Sequence, residues 1–529
     1  MINPITCLDY PDVDMIRVEN TYYMVSTTMY FMPGCEILRS YDLVHWEHCT
    51  YVYDTLDSTP AQRMEDGLNI YGNGMWAASL RYHNNTFYVC FVANDTHKTY
   101  LYTSKNIHGP WKKSTIDGFY HDNSILFDDD GKVYIVYGNK EIHITELSAD
   151  MTAPKSGGLN KIILIDNDDV WLGYEGCHFY KINGRYYLFN IHIPKLTGRR
   201  TESCFIADKP EGPYIGGDIF DDTRGLANSG VAQGGIIDTP DGKWYAMLFQ
   251  DSGAVGRMPI LIPLSWKNNM PVLGIDNKVP EDFTTPVVHS DYTYRPLVGS
   301  DDFKYEEDPV FNNGTQPLFS EKYGSLGLKS CWEYNHEPAL DLVKVDTANG
   351  TLTIQTGKVC TNLVQARNTL TQRCMYPYCS AEVTLDASGL NKGDYAGLCI
   401  LQSNYAYVGV KKGTDSLNLI TVKREVHNDF TKGLRNDTKP GEECTSIPLK
   451  TNIIRLRIDA DFNQMKDTAI LSYIDGNGVT HTLGSPVKLK FMLDHFTGAR
   501  FGLFIFSTKK SGGKAVFSDF KYDTRVKNI

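Results

Sequence analysis

The 529-residue chain contains no apolar stretch long enough to cross a bilayer, so no membrane partner is expected. It has no basic excess either. Lys and Arg number 52 against 63 Asp and Glu, and the formal net charge is -11. With no Lys/Arg-rich run to offset that balance, a nucleic-acid partner is excluded, whereas a neutral ligand would be indifferent to it. The 12 cysteines form no CxxC pair and no Cys/His cluster with zinc spacing. Most sit in apolar, strand-like runs, as Cys90 does in FYVCFV and Cys399 in AGLCILQ, and read as reduced, buried thiols of a cytosolic protein. The opening MINPITCLDYPDVD has neither a basic nor an apolar leader segment, so a cytoplasmic location is expected. Helical periodicity is also scarce, which points to an all-β fold.

What the chain does have is aromatic residues, 12% of the total with 33 Tyr. These favour strands and supply flat apolar faces of the kind on which sugar rings stack. At 529 residues the chain is too long for one ordinary core, so two domains are expected. One hairpin pattern is written five times: VENTYYMVST (18–27), YHNNTFYVCFV (82–92), DDDGKVYIVYG (128–138), KINGRYYLFNI (181–191) and TPDGKWYAMLF (239–249). Each joins an Asn- or Gly-bearing turn to an aromatic pair and alternating apolar residues, the signature of a tight β-hairpin. The spacing suits four-stranded blades, so the expected architecture is a five-bladed β-propeller over 1–295. Beyond a Pro-containing linker, strands such as GTLTIQTG, AGLCILQ and FGLFIF lack the motif. They predict an antiparallel, jelly-roll-like β-sandwich over 296–529, a packing domain that also contributes to the rim of the site.

The turn residues Asn20, Asn85, Gly131, Gly184 and Gly242 serve as a ruler. Stepping back nine residues, or eight in the first copy, lands on Asp12, Trp76, Asp122, Glu175 and Gln233. Equivalent offsets place these on the innermost strands, converging on the propeller axis. Three carboxylates there demand either pairing or a function, and paired carboxylates are the apparatus for cleaving glycosidic bonds. Asp128, Asp129 and Asp130 lie on a hairpin turn, where solvated carboxylates are ordinary.

At these residues the sequence resembles glycoside hydrolase family 43, most closely its two-domain β-xylosidase and α-L-arabinofuranosidase members. The resemblance rests on DYPD (9–12), MWAASLRYHNNTFY (75–88), HDNSILFDDDGKVYIVYG (121–138), YEGCHFYKINGRYY (174–187) and GGIIDTPDGKWY (234–245), in that order. It implies that Asp12 is the general base, Glu175 the general acid, and Asp122 the third carboxylate that orients the acid and tunes its proton affinity. It further implies that Arg257, in AVGRMP, binds the carboxylate cluster or substrate hydroxyls. The family inverts configuration, which requires a carboxyl separation of roughly 6.5–9.5 Å to admit water. Trp76, Tyr30 and Phe31 are candidate walls against the sugar. Gln233 stands where many members carry a His that helps hold calcium, so calcium in the channel is an option rather than an expectation.

The resemblance implies an exo-acting hydrolase that releases terminal β-D-xylose or α-L-arabinofuranose from plant-derived oligosaccharides. An endo-arabinanase-like hydrolase on the same propeller and a non-catalytic carbohydrate-binding protein are the alternatives. A homo-oligomer is compatible with all three.

Overall fold

The computed structural model describes residues 2–305, 327–425 and 437–524. Its first half is a ring of five four-stranded antiparallel sheets, built from consecutive strands except in blade one, where Phe31–Met32 between the second and third strands leaves the blade. The innermost strands are Asp14–Val18, Met75–His83, Ser124–Phe127, Val170–Ile182 and Val231–Asp238, and the outermost strand of the fifth blade ends at Leu273. The five hairpins expected from the repeats are the pairings of first and second strands. Blades one, two and four turn on two residues, and Glu19, Asn84–Asn85 and Asn183–Gly184 all have positive φ. That backbone matches the right-handed twist of the strands and explains the Asn and Gly.

The ring closes by packing between neighbours. Separate buried clusters join blade one to two, two to three, three to four, and four to five. A fifth cluster joins blade five back to blade one through Tyr10, Met15, Tyr22, Tyr245 and Leu261. The segment ahead of blade one lies along blade five, where the Asn3 side chain donates to Leu261 O (2.7 Å) and accepts from Leu261 N (2.8 Å).

A polar layer plugs the central channel. Asp14 of blade one receives Arg81 Nη1 of blade two at 2.6 Å and lies 3.2 Å from His178 Nδ1 of blade four. Arg81 also donates to Ser124 Oγ and Ile125 O of blade three. The arginine beside it holds the buried Asp14 carboxyl down at about 2, against the desolvation that would raise it.

The second half is a sandwich of two antiparallel sheets, one reading Phe31–Met32, Glu333–Asn335, Leu370–Arg373, Arg500–Ser507, Asp394–Leu401, Ala406–Lys412, Leu417–Lys423, Glu442–Leu449 in spatial order. Its first strand comes from a propeller loop, so the two halves share a sheet. The chain between them is tied to blade one as far as Arg295, beside Glu47, and enters the sandwich at Asp301, which pairs with Phe520. All 12 cysteines are free thiols and nine are buried.

Two expectations need correction here. Tyr30 and Phe31 are fully buried and do not wall a sugar pocket. Their rings stack on each other, the Tyr30 hydroxyl bonds His495 Nδ1, and the Arg500 guanidinium lies 3.6 Å above Phe31. They belong to the seam between the halves, because strand pairing draws Phe31 into the sandwich sheet. Asp128 is likewise buried, not solvated, and binds Lys181 and Tyr186 of the next blade.

Replacing Asp14 with Ala would leave the largely covered Arg81 guanidinium without its carboxylate, a loss of about 3 kcal/mol. Denaturant unfolding of Asp14→Ala is therefore expected to show a markedly lower midpoint than the parent.

Candidate active site

The site grows from a backbone irregularity repeated in every blade. At or just before each innermost strand one residue takes the left-handed conformation: Asp12 (φ 53°), Ala77 (28°), Asp122 (49°), Gly176 (64°) and Gln233 (70°). Four of these are not glycine, and such backbone is costly for residues with a Cβ. The kink breaks the strand ladder, with register shifts between Trp76 and Ser79, Glu175 and His178, and Ala232 and Gly234. Neighbours satisfy the amides released there. Ala77 N donates to Thr27 Oγ1 (2.8 Å), Gly176 N to Asp122 Oδ2 (3.1 Å) and Gln233 N to Glu202 Oε2 (2.7 Å).

The sequence ruler therefore finds the kink in blades one, three and five, and falls one residue short in blades two and four. Trp76 and Glu175 precede it. Turn length is the cause. Blades three and five use longer turns, closed by Asp128 N to Lys132 O and Thr239 N to Lys243 O, and a fixed offset cannot serve both kinds.

Asp12, Asp122 and Glu175 meet around this ring with distinct partners. Asp12 Oδ1 accepts from Arg257 Nη1 (3.0 Å) and Gln233 Nε2 (3.1 Å). Gln233 and Arg257 are buried, so both hold Asp12 in place rather than line open space. Asp122 is raised to about 7 by burial and by the nearby charges of Glu175 and Asp12, against the pull of His121. Glu175 is half-buried and accepts from Asn139 Nδ2. His121 Nε2 stands 3.5 Å from Glu175 Oε2 and 3.7 Å from Asp122 Oδ1, and the Asp122 charge, with Glu175, lifts it to about 9. That lift fades when Asp122 takes a proton, so the cluster holds its protons jointly. Among the described residues, His121, Asp122 and Glu175 also form one of two groups able to offer three ligand atoms to a metal, the other being Asp166, Asp168 and His192.

Trp76 lies between His121 (ring centroids 6.2 Å) and Phe496 of the sandwich (5.2 Å). Phe496 also packs over the Arg257 guanidinium at 4.7 Å. The sandwich thus supplies a wall. Its loop is pinned by Asp9, whose Oδ1 accepts from Arg257 N and whose Oδ2 accepts from Gly498 N, both at 2.7 Å. Arg200, paired with Asp251 at 2.7 Å, adds a cation within range of Asp12 and Glu175. The sequence reading missed His121, Asn139, Arg200, Asp9's brace and Phe496. His121 and Asn139 had a signal, since one adjoins Asp122 and the other ends the second strand of the same hairpin. Phe496 had none.

Residues 1–271 match the model of the glycosyl hydrolases family 43, and residues 320–523 match the beta xylosidase C-terminal concanavalin A-like domain. The chain belongs to glycosyl hydrolases family 43. Members of this family are glycoside hydrolases that invert configuration. A beta-xylosidase of Formosa agariphila is 28% identical over 99% of this chain and 90% of its own. Among solved structures, a bifunctional GH43-CE protein of Bacteroides eggerthii aligns with TM-score 0.88 and 37% identity. That alignment covers 99% of this chain, which spans 64% of the bifunctional one. A GH43 glycoside hydrolase engineered to display both endo-xylanase and exo-arabinofuranosidase activity aligns with TM-score 0.84 and 29% identity, covering 99% of each chain.

Two outcomes are expected for this family 43 site. Removing the cation in His121→Gln takes away what opposes burial at Asp122, so that carboxyl binds its proton more tightly. The pH profile of kcat/KM should then move to higher pH, and an unmoved profile would exclude His121 from the cluster's electrostatics. Asp9→Asn keeps one acceptor but turns an N–H toward a backbone donor. Roughly a tenfold or greater loss of kcat/KM is expected in steady-state kinetics.

Proposed function

We propose that the chain is an exo-acting inverting glycosidase that removes terminal β-D-xylose or α-L-arabinofuranose from oligosaccharides of the xylan type. The observation that carries this reading is the convergence of Asp12, Asp122 and Glu175 from three blades, each with its own donors. Asp12, fixed by Arg257 and Gln233, takes the proton of the attacking water. Glu175, reached by Asn139 and His121, gives its proton to the leaving oxygen. Asp122 and His121 set the potential under Glu175 and hold its carboxyl in place. A single displacement by water on the face opposite the leaving group inverts the anomeric carbon.

The sugar class is supported by the relatives, one named a beta-xylosidase and one engineered to display both endo-xylanase and exo-arabinofuranosidase activity. The exo mode is supported by the meeting of Trp76 and Phe496, which walls one side, and by the Asp14–Arg81–His178 layer that closes the channel. A neutral oligosaccharide also suits a chain of charge -11.

Calcium fits the channel poorly. It asks for six to eight oxygen ligands. Here the guanidinium of Arg81 already occupies the carboxylate of Asp14, and Gln233, whose Nε2 donates to Asp12, offers one amide oxygen at most. No step above is routed through a metal.

Turnover of 4-nitrophenyl β-D-xyloside and α-L-arabinofuranoside, side by side, tests the substrate class, and activity on neither would overturn it. Glu175→Ala and Asp12→Ala should each cost about 10²–10⁴-fold in kcat. Undiminished turnover in either variant would sink the role assigned to that residue.

A further inference from the structure

The innermost strand of blade four runs 13 residues, Val170–Ile182, against 4 to 9 in the other blades. Its hairpin continues beyond the Glu175–Ile191 pair to Leu172–Ile193 and Val170–Pro194. This extension carries Trp171, which is 72% exposed. The other six tryptophans of the chain are buried or half-buried. Trp171 belongs to no buried cluster, so packing does not account for it. The ring is nevertheless held. The Lys195 ammonium lies 5.3 Å from its centroid, and Asp169 fixes that ammonium at 2.5 Å. Leu196, the next residue after Lys195, is 97% exposed.

A single exposed apolar residue is ordinary. An indole clamped on one face by an ion pair, on the longest first strand of the five blades, is a different arrangement. We infer that Trp171 is a platform for the sugars of the leaving group, several units out from the scissile bond. The inference rests on the reading of Glu175 as general acid. That residue must stand on the leaving-group side, because it protonates the leaving oxygen. The strand bearing it therefore borders the path along which the rest of the oligosaccharide leaves the pocket. Trp171 is four residues further along the strand, at most about 13 Å away at strand rise. That is beyond one leaving-group sugar and within reach of a short chain. The apolar face of a pyranose needs a flat, desolvated partner, and the clamp limits the entropy lost when one binds. The ligand class is a neutral, linear oligosaccharide, so the enzyme favours chains over disaccharides.

The test compares Trp171→Ala and Trp171→Phe with the parent on 4-nitrophenyl β-D-xyloside and on xylobiose through xylopentaose. Trp171→Ala should leave the aryl xyloside and xylobiose within twofold and lower kcat/KM on the tetra- and pentasaccharide roughly 5–10-fold, mostly through KM. Trp171→Phe should restore most of that loss. An equal loss on all substrates, or no loss on the long ones, overturns the proposal. A parent inactive on every xyloside fails the function reading instead. In that case calorimetry of xylotetraose binding to Glu175→Gln, with and without Trp171→Ala, still decides the platform, and equal affinities overturn it.

Discussion

The Asp9 carboxylate, accepting one backbone N–H from each half of the molecule, is the interaction on which the site's geometry depends. Through Arg257 N it fixes the start of a blade-five strand whose side chain reaches Asp12. Through Gly498 N it fixes the sandwich loop that brings Phe496 against Trp76. The fit leaves no room for side chains. A Cβ on Gly256 would stand 2.3 Å from Asp9 Oδ1, and one on Gly498 would stand 2.1 Å from Val255 O. Arg373 Nε in turn donates to Asp9 O at 3.0 Å. Arg373 is itself held by Glu36 of blade one and Glu333 of the sandwich, both at 2.9 Å, and Glu333 by Arg500 at 2.6 Å. Buried ion networks of this kind add little net stability but permit few alternative arrangements. Here the fixed quantity is the angle at which the sandwich meets the propeller, and so the width of the pocket.

The fold was legible because propeller blades repeat, and a repeat advertises itself through its turns. Asn84–Asn85 and Asn183–Gly184 are where positive φ is needed, and the sequence supplies residues that tolerate it. The three carboxylates were legible for the same reason, as polar residues at one recurring place on otherwise apolar strands. The one-residue error in blades two and four arose because the kink stands eight residues before Asn85 and Gly184 of the two-residue turns but nine before Gly131 and Gly242 of the five-residue ones.

What stayed hidden has a different physical origin. Phe496 lies more than 200 residues from any blade strand and reaches the site only through domain docking, which leaves no periodic trace. Tyr30 and Phe31 were misplaced by the same docking. In a Gly- and Pro-bounded loop they read as rim residues, yet Phe31 pairs with Asn335 and turns the loop into a sheet edge. Aromatic residues near a site signal burial against something, and the sequence does not say whether that is a ligand or another domain.

One backbone device, repeated in each blade, yields distinct chemistry because its neighbours differ. At the kink of blade one the side chain meets a guanidinium and an amide, which suits an acceptor that must take a proton from water. At the kink of blade three it meets a backbone N–H and an imidazole in a buried setting, and is pushed toward neutrality. In blade four the kink falls on Gly176, whose amide serves Asp122, while the carboxylate sits one residue earlier and half-exposed. That displacement is functional in the proposed mechanism. A proton donor to a departing oxygen must face the substrate, and a residue ahead of the kink escapes the donor shell that buries Asp122. The departure from the ruler in blade four is therefore what separates the acid from the two carboxylates that set its surroundings.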